Sequence, residues 1–311
     1  MPHAALGPGR EFDIIRMLAN RWGPLARGIG DDAAMFRTPR GDQLVVSTDT
    51  ALEGVHFRTG WLSQREIGYR AVTAALSDLA AMAAAPLGVL VSLQLARDVR
   101  AEINRLADGI GDAVRAAGTV ILGGNITRGR ALGITTTVIG SAFAPVERSG
   151  ARPGDLLYVT GRLGGPAAAL RALSARKRPA PAFRKRFAHP IARIAEARWL
   201  AARGMVAAID ISDGLVSDAG HLAAASTVGI ELHALLVPVL PGAPPDDALS
   251  GGEEFELLVA ARTPLPEAEF LGQFGIPLTR IGRVVEGPAV VRVVDGAKRI
   301  AARRGHDHFS R

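Results

Sequence analysis

The strongest constraint on this chain is a repeated arrangement in which aspartates stand on loop-forming residues beside short apolar segments. The first such stretch is GIGDDAAMF, residues 28–36, and its companion is STDTALEGVHF, residues 47–57. Further acidic stretches follow as SDLAAMAAAP, DISDG and SGGEEFEL. Carboxylate oxygens on loops are typical ligands of hard cations such as Mg²⁺. The pattern therefore predicts a metal site assembled from several separate segments of an α/β fold.

Length and composition set the number of domains and the kind of metal site. The 311 residues exceed what one core usually holds, and they suit two domains of about 150 residues each. With 48% apolar and 22% charged residues, the chain is expected to be globular. It contains no cysteine, which excludes a thiolate metal site and a disulfide framework and is consistent with a reducing cytoplasm.

Membrane and nucleic-acid functions are not favoured by the sequence. Residues 1–20 contain no apolar core of a signal peptide, and the most apolar stretch, residues 71–96, is interrupted by Asp78 and Pro86. The net charge of +7 would permit binding to nucleic acid, but aromatic residues make up only 5% and no known binding motif accompanies the charge. An arginine-rich enzyme surface that attracts polyphosphate substrates explains the same charge.

Apolar periodicity predicts one short amphipathic helix over residues 11–20 and, after it, an alternation of strands and helices around the acidic stretches. The β-branched run Leu44–Ser47 predicts a strand that ends just before Asp49, at a position favoured for binding groups in α/β proteins. The alanine-rich stretch Gln64–Ala84 predicts a long helix, in which Asp78 needs a partner because burying an unpaired carboxylate is expensive. A short strand at 120–122 then leads into GGNITRG, whose glycines let backbone amides approach a phosphate.

The turn-rich stretch RSGARPGD, residues 148–155, predicts the boundary between two domains. We expect an N-terminal domain at 1–146 and a C-terminal domain at 147–311, with a strand over Leu156–Thr160 just after the turn-rich stretch. Two basic clusters, at 176–178 and 184–186, flank prolines in the second domain. They form either a solvated loop or a lid that faces a phosphate.

A strand at 206–209 runs directly into DISDG, and a helix is predicted from about Leu215 to Ser226. Asp210 and Asp213 therefore bracket a strand-to-helix turn. Asp213 alone would be typical of an N-cap. The second carboxylate three residues earlier favours metal or phosphate binding at the helix N-terminus.

These carboxylates indicate how the chain would bind a nucleotide. It has neither the Gly-x-x-x-x-Gly-Lys-Ser/Thr phosphate loop nor the motifs of protein kinases. The aspartates supply more negative charge than one Mg²⁺ needs, which several Mg²⁺ ions shared with substrate phosphates would balance. The sequence therefore predicts a Mg²⁺-dependent enzyme that transfers a phosphoryl group.

Eight motifs in one order resemble the thiamine-monophosphate kinases of the PurM-like ATP-dependent superfamily. They are GIGDDAA, STDT with a following histidine, GYRAVTAALSDLAAM, GGNITRG, RSGARPGD, DISDGLVSDAGH, LSGGEEFEL and a terminal GHDHF. Each motif is weak alone, but together they extend over nearly the whole chain. The resemblance implies a homodimer of chains with a two-domain PurM-like α/β fold, an N-terminal sheet near the dimer axis, and ATP bound between the N- and C-terminal domains.

The resemblance also implies roles for individual residues. It implies several Mg²⁺ ions held by Asp32, Ser47, Thr48, Asp49, Asp78, Asn125, Asp210 and Asp213. It implies that ATP, the co-substrate, contacts Gly124, Asn125, Arg148 and Ser212, and that thiamine phosphate contacts His56, Glu253 and Phe309. Asp49, Asp78, Asp210 and Arg148 would act at the transferred group. Where the family often has Asp in GGDTTRG, this chain has Asn125, which keeps an oxygen but loses the charge. We expect Asn125 to lie beside Asp49, so that one metal site is weaker or relies on Asp49.

The implied chemistry needs no strong general base, because a phosphate monoester with a second pKa of about 6 is already ionised at neutral pH. The γ-phosphoryl group of ATP would pass to it directly, in line, without a covalent enzyme intermediate. Two superfamily relatives, selenophosphate synthetase and the hydrogenase-maturation dehydratase, use a cysteine or selenocysteine that this chain lacks. An aminoimidazole-ribotide-synthetase-type cyclase and a non-catalytic nucleotide-binding homologue are the alternatives.

Overall fold

The structure is a computed structural model. It describes residues 7, 9, 12–17, 31–38, 41–96, 100–296, 298–301 and 305. Residues 12–17 form helix α1, inside the helix predicted over residues 11–20. In the described part of the chain, no helix has the length and apolar character needed to cross a bilayer.

The first half of the chain forms a five-stranded sheet in the order β1-β2-β5-β3-β4. Its strands are β1 (Ala34–Arg37), β2 (Gln43–Leu52), β3 (Ala85–Leu95), β4 (Ile121–Arg128) and β5 (Gly133–Ala142). Only β3 and β4 pair in parallel, because helix α3 (Arg100–Ala116) carries the chain between them. The other described pairs in this sheet are antiparallel.

Helix α2 (Gln64–Ala81) lines one side of the candidate site, and its start and its packing against α3 fix its position. A capping box at its start joins Ser63 and Glu66, which satisfies the first free backbone amides. Glycines then let α2 and α3 approach closely. A Cβ on Gly68 would lie 2.3 Å from the carbonyl oxygen of Leu106, so any larger residue would push the two helices apart.

The second half forms a seven-stranded sheet in the order β12-β11-β8-β10-β6-β9-β7. Its strands are β6 (Leu156–Thr160), β7 (Met205–Asp210), β8 (Gly229–His233), β9 (Leu257–Ala261), β10 (Leu278–Val285), β11 (Val291–Asp295) and β12 (Lys298–Ile300). Its helices are α4 (Gly165–Ser174), α5 (Pro181–Ala188), α6 (Ile194–Ala201), α7 (Leu215–Ser226), α8 (Pro245–Ser250) and α9 (Glu267–Phe274). The predicted strand Leu156–Thr160 and helix Leu215–Ser226 are confirmed.

Helices from each half pack against the other half. Ala80 and Ala81 at the end of α2 share a core with Tyr158 and Leu257 of the second sheet. Phe187 of α5 packs into the core of the first sheet. The candidate site lies at this junction.

Two strand predictions in the first half were wrong. Strand β2 does not end before Asp49 but continues to Leu52, so that Asp49 lies inside the strand opposite Thr136 of β5. The ladder with β5 continues through this stretch, and Thr48 and Thr50 form hydroxyl hydrogen bonds with threonines of β5. GGNITR is likewise not a loop but most of strand β4, because it pairs in register with β3.

The basic segment between α4 and α5 divides into two parts. Residues 176–178 are exposed. Arg184 and Arg186, by contrast, lie on α5 and bind carboxylates of the protein, with Arg184 2.8 Å from Glu66 and Arg186 2.9 Å from Glu256. The lid alternative is therefore wrong for Arg184 and Arg186, whose side chains anchor α5 to the rest of the fold.

Candidate active site

Three carboxylates from distant parts of the chain form one cluster. Asp32 precedes β1, Asp78 lies on α2, and Asp210 is the last residue of β7. One oxygen from each lies within 4.8 Å of the other two. Asp32 and Asp210 are buried, with 7% and 3% of their surface exposed. The fold therefore brings together three of the predicted metal ligands.

The cluster holds more negative charge than its surroundings balance. Burial, and then the charge of Asp32, raises the pKa of Asp210 to about 8. Burial and then the charges of Asp49 and Asp210 raise the pKa of Asp78 well above its ordinary value. Burial and the charge of Asp32 also raise the pKa of Asp31 to about 7. A divalent cation bound to these oxygens would relieve this repulsion, and hard oxygen ligands suit Mg²⁺.

Arg148 provides part of the positive charge at this cluster. Its Nε and Nη2 atoms each donate to Asp32 over 2.6 Å, and its backbone N–H donates to Asp31 over 3.2 Å. The predicted contact of Arg148 is with ATP, whereas here its guanidinium forms a two-pronged pair with a predicted metal ligand. A cation that bound Asp32 would compete with this guanidinium for the carboxylate.

Strand β2 presents only alternate side chains to the cluster. Ser47 donates a hydrogen bond to Asp78 over 2.5 Å, and Asp49 lines the same pocket as Asp78. Thr48 points to the opposite face, where its hydroxyl lies 3.0 Å from that of Thr137. Because successive side chains in a strand alternate between faces, the predicted role of Thr48 as a metal ligand falls to its backbone carbonyl, and that role stays a prediction.

The DISDG turn and the SGGEEFEL loop are held together by backbone hydrogen bonds. The N–H of Glu253 donates to the carbonyl of Ser212 over 2.6 Å, and the N–H of Phe255 donates to that of Ile211 over 2.9 Å. A Cβ on Gly252 would lie 2.4 Å from the Ser212 carbonyl oxygen, so only glycine allows this approach. The turn that carries Asp210 and the loop that carries Glu253 therefore form one unit.

A pocket of about 740 Å³ opens over this unit, a volume typical of small-molecule sites. Carboxylates and predicted substrate-binding residues line it together. The predicted residues in its lining are Asp49, His56, Asp78, Asp210, Ser212, Asp213 and Glu253. Four aromatic side chains also line it: Phe12, Phe57, Trp61 and Phe255.

His56 has a defined orientation in this pocket. Its Nδ1 accepts a hydrogen bond from the N–H of Leu52 over 3.1 Å. In the neutral ring the proton therefore resides on Nε2. The third predicted substrate residue, Phe309, lies outside the described residues.

Gly124 and Asn125 are not brought to the cluster within one chain. Both lie on β4, at the edge of the sheet, whereas Asp49 lies on β2 with β5 and β3 in between. Three strand spacings separate β2 from β4 by about 14 Å. The prediction that Asn125 lies beside Asp49 is therefore wrong for a single protomer, because the order of strands in the sheet differs from their order in the sequence.

Asp213 belongs to a second group of side chains, which the sequence analysis did not identify. Its carboxylate lies within 4.8 Å of ligand atoms of Asp218 and His221. Asp218 accepts hydrogen bonds from the N–H groups of Asp213 and Gly214, over 3.2 and 2.9 Å. Asp218 therefore stabilises the turn before α7, and Asp213 is not the N-cap, a position that Gly214 occupies. The motif DISDGLVSDAGH contained both missed residues, since i+3 spacing places them on one helix face.

Arg70 is a pocket residue that the sequence analysis did not identify. It lies on α2 with Ile67, Ala71, Ala74 and Asp78, and these five line the pocket. Their spacing of i, i+3, i+4, i+7 and i+11 marks one stripe of a helix, and the last four of them lie in the motif GYRAVTAALSDLAAM.

Comparison with protein families gives matches to both halves of the chain. Residues 30–142 match the AIR synthase related protein, N-terminal domain. Residues 152–295 match the AIR synthase related protein, C-terminal domain.

Individual relatives are similar over nearly their whole length. The chain is 36% identical to the thiamine-monophosphate kinase of Escherichia coli (strain K12), over 91% of this chain and 92% of that protein. It is 33% identical to the thiamine-monophosphate kinase of Bacillus subtilis (strain 168), over 96% of this chain and 99% of that protein.

Solved structures are also similar over nearly the whole chain. A structure described as AaThiL complexed with AMPPCP and TMP superposes with a TM-score of 0.85 and 32% identity, covering 97% of both chains. The HypE–HypF complex superposes with a TM-score of 0.78, covering 94% of this chain and 99% of that chain, but at 18% identity it shares the fold alone.

Proposed function

This chain belongs to the thiamine-monophosphate kinase family, and from that premise we propose that it transfers the γ-phosphoryl group of ATP to thiamine monophosphate, forming thiamine diphosphate and ADP. The observation that carries the proposal is the shared pocket. The buried carboxylates Asp78 and Asp210 line it together with His56 and Glu253, so that a metal-bound phosphate and an organic acceptor fit side by side.

The residues present fit Mg²⁺. The ligand set is carboxylate and hydroxyl oxygen, and the raised pKa values of Asp78 and Asp210 reflect an excess of negative charge at the cluster. We infer that Asp32, Asp49, Asp78, Asp210 and Asp213 hold several Mg²⁺ ions, with Ser47 in support. When bound there, Mg²⁺ would neutralise phosphate charge and align the donor and acceptor.

The transfer requires the protein mainly to neutralise the charge of the phosphates and to position the two substrates. An oxygen of the acceptor phosphate attacks the γ-phosphorus of ATP, the bond to the β-phosphate oxygen breaks, and ADP leaves with that electron pair. Arg148 would pair with developing charge on the phosphates once its hold on Asp32 is released. Ser212 lies in the same pocket and would contact ATP.

The acceptor has three features that the pocket would recognise. Thiamine monophosphate carries a cationic thiazolium, a flat aminopyrimidine and a phosphate. Glu253 would accept a hydrogen bond from the amino group, aromatic side chains would pack on the rings, and His56 would reach the substrate near the metals. The implied ring contact of Phe309 is part of this proposal.

We propose that two chains pair through strand β4. All eight residues of β4 are exposed, although it carries large apolar side chains such as Leu122 and Ile126, which are 56% and 69% exposed. An exposed apolar edge strand is unusual in a monomer because it invites pairing. The implied roles of Gly124 and Asn125 in binding ATP and metal stay predictions.

We also propose a division into domains at 1–146 and 147–311. The first sheet ends at Ala142 and the second begins at Leu156, which supports a boundary between them. A cytoplasmic location is proposed with it, because ATP is the co-substrate.

ADP release from the purified protein, measured with ATP and Mg²⁺, tests the function. We expect fast release with thiamine monophosphate and only slow background release with thiamine or without an acceptor. Release that is independent of thiamine monophosphate would favour a cyclase or another ATP-dependent reaction, and no release with any acceptor would favour a non-catalytic homologue.

A further inference from the structure

Arg70 is a buried cation at the acceptor side of the pocket. Only 6% of its surface is exposed, although it lines the pocket. It makes three contacts at once. Its Nη2 pairs with the Glu253 carboxylate, its Nη1 donates to the Phe187 carbonyl oxygen over 2.5 Å, and its Cζ lies 4.4 Å from the centre of the Phe187 ring. Phe187 is itself fully packed in the core, so Arg70 has a fixed position.

The backbone of Glu253 is also fixed, in a conformation that non-glycine residues rarely adopt. Glu253 is one of the described non-glycine residues with positive φ, at 63°, and Phe255 two residues later has φ of 51°. A bulky residue in this region costs about 1–3 kcal/mol and persists only where the surroundings enforce it. The side chain of Glu253 remains 31% exposed towards the pocket, so that it is held on one side by Arg70 and open on the other.

Helix α2 also fixes the separation between this pair and the metal cluster. Arg70 and Asp78 are eight residues apart, which corresponds to about 12 Å along a helix axis. Ala71 and Ala74 line the pocket between them and leave room beside the helix. An extended acceptor with a phosphate at one end and an amino-bearing ring at the other would lie along this face.

We propose that Arg70 is a positioning residue that holds Glu253 for the amino group of the acceptor and thereby sets the choice of acceptor. This inference rests on the proposed function. Arg70 neutralises the charge of Glu253. The Glu253 carboxylate can therefore accept a hydrogen bond from a neutral amino group, and the pair does not attract cations in general. Arg70 thus acts through Glu253 and does not contact the transferred phosphate.

Steady-state kinetics of Arg70→Met and Arg70→Lys tests the proposal. For Arg70→Met we expect KM for thiamine monophosphate to rise about tenfold or more, while KM for ATP stays within about twofold. Arg70→Lys keeps the positive charge but lacks the forked guanidinium, so its KM for thiamine monophosphate should lie between those of the wild type and Arg70→Met. If Arg70→Met lowered kcat but left both KM values unchanged, as a loss of folded protein would, the proposal would be overturned.

Two further measurements separate positioning from stability. The wild type should prefer thiamine monophosphate over the analogue whose pyrimidine amino group is replaced by oxygen, and Arg70→Met should lose most of that preference. In a double-mutant cycle with Glu253→Gln, the two effects should not add, since both act through one carboxylate. Additive effects, or an unchanged preference between the two acceptors, would overturn the proposal.

Arg203→Met is the matched control. Arg203 also combines an ion pair, 2.7 Å from Glu269, with a ring contact, 3.7 Å from the centre of Trp199, but it is not part of the pocket lining. It should leave both KM values unchanged. If the wild type forms no thiamine diphosphate, the proposed function fails and Arg70 has no acceptor to select. If the wild type is active and Arg70→Met retains its acceptor preference, only the role of Arg70 fails.

Discussion

Replacing Asp210 with asparagine should stabilise the metal-free protein at alkaline pH while abolishing its activity. Burial and the charge of Asp32 raise the pKa of Asp210 from 3.8 to about 8. Between these values the folded protein binds a proton that the unfolded chain has lost. Stability contributed by this group is therefore complete below pH 3.8 and is lost as the pH rises towards 8.

The size of the effect follows from that shift. One group in this range lowers the free energy of unfolding by about 1.4 kcal/mol per pH unit, so from pH 6 to pH 8 the loss is about 2–3 kcal/mol. Asparagine does not titrate and has nearly the same shape. Asp210→Asn should therefore lose about 2–3 kcal/mol less than the wild type over this window.

Urea unfolding in EDTA, at several pH values from 6 to 8, measures the difference. Asp112→Asn is the control, because the hydrogen bond from Arg65 and other contacts lower the pKa of this surface carboxylate, which places its titration below the window. Adding Mg²⁺ at pH 8 should stabilise the wild type more than Asp210→Asn. Equal pH slopes for the wild type and Asp210→Asn would refute the account of the cluster.

Three other outcomes follow from the site and the sheet. Asp49→Ala should abolish turnover with an unchanged circular dichroism spectrum, and near-normal kcat with normal Mg²⁺ dependence would remove Asp49 from the metal site. Glu253→Ala should raise KM for thiamine monophosphate more than KM for ATP, and an equal rise in both would show that Glu253 does not bind the acceptor. Ile126→Lys should halve the mass measured by sedimentation, because Ile126 lies 69% exposed on β4, whereas Leu235→Lys, at a position 77% exposed in the other half of the chain, should not. A dimer that survived Ile126→Lys would place the interface elsewhere.

Local sequence patterns predicted those helices and strands that depend only on neighbouring residues. The helix Leu215–Ser226 and the strand Leu156–Thr160 needed only periodicity and flanking turns. Strand β4 was predicted too short, at 120–122, because GGNITRG has little strand propensity and extends the strand to Arg128 only by pairing with β3. Tertiary pairing overrides propensity in such cases.

The same distinction applies to the site. The motifs identified Asp32, Asp78 and Asp210, but they could not order the strands, and strand order is what separates Asn125 from Asp49. Arg70 escaped notice because its partner Glu253 lies 183 positions later in the chain. Contacts of that range are visible only in the folded protein.

The central claim is that the carboxylate cluster and the acceptor pocket together make thiamine diphosphate. Phosphorus NMR of the wild type with ATP, Mg²⁺ and thiamine monophosphate tests it most directly. The account predicts that thiamine diphosphate and ADP appear in equal amounts, and that neither forms in EDTA or with Asp210→Asn. Formation of ADP and inorganic phosphate without thiamine diphosphate, or undiminished thiamine diphosphate from Asp210→Asn, would contradict it.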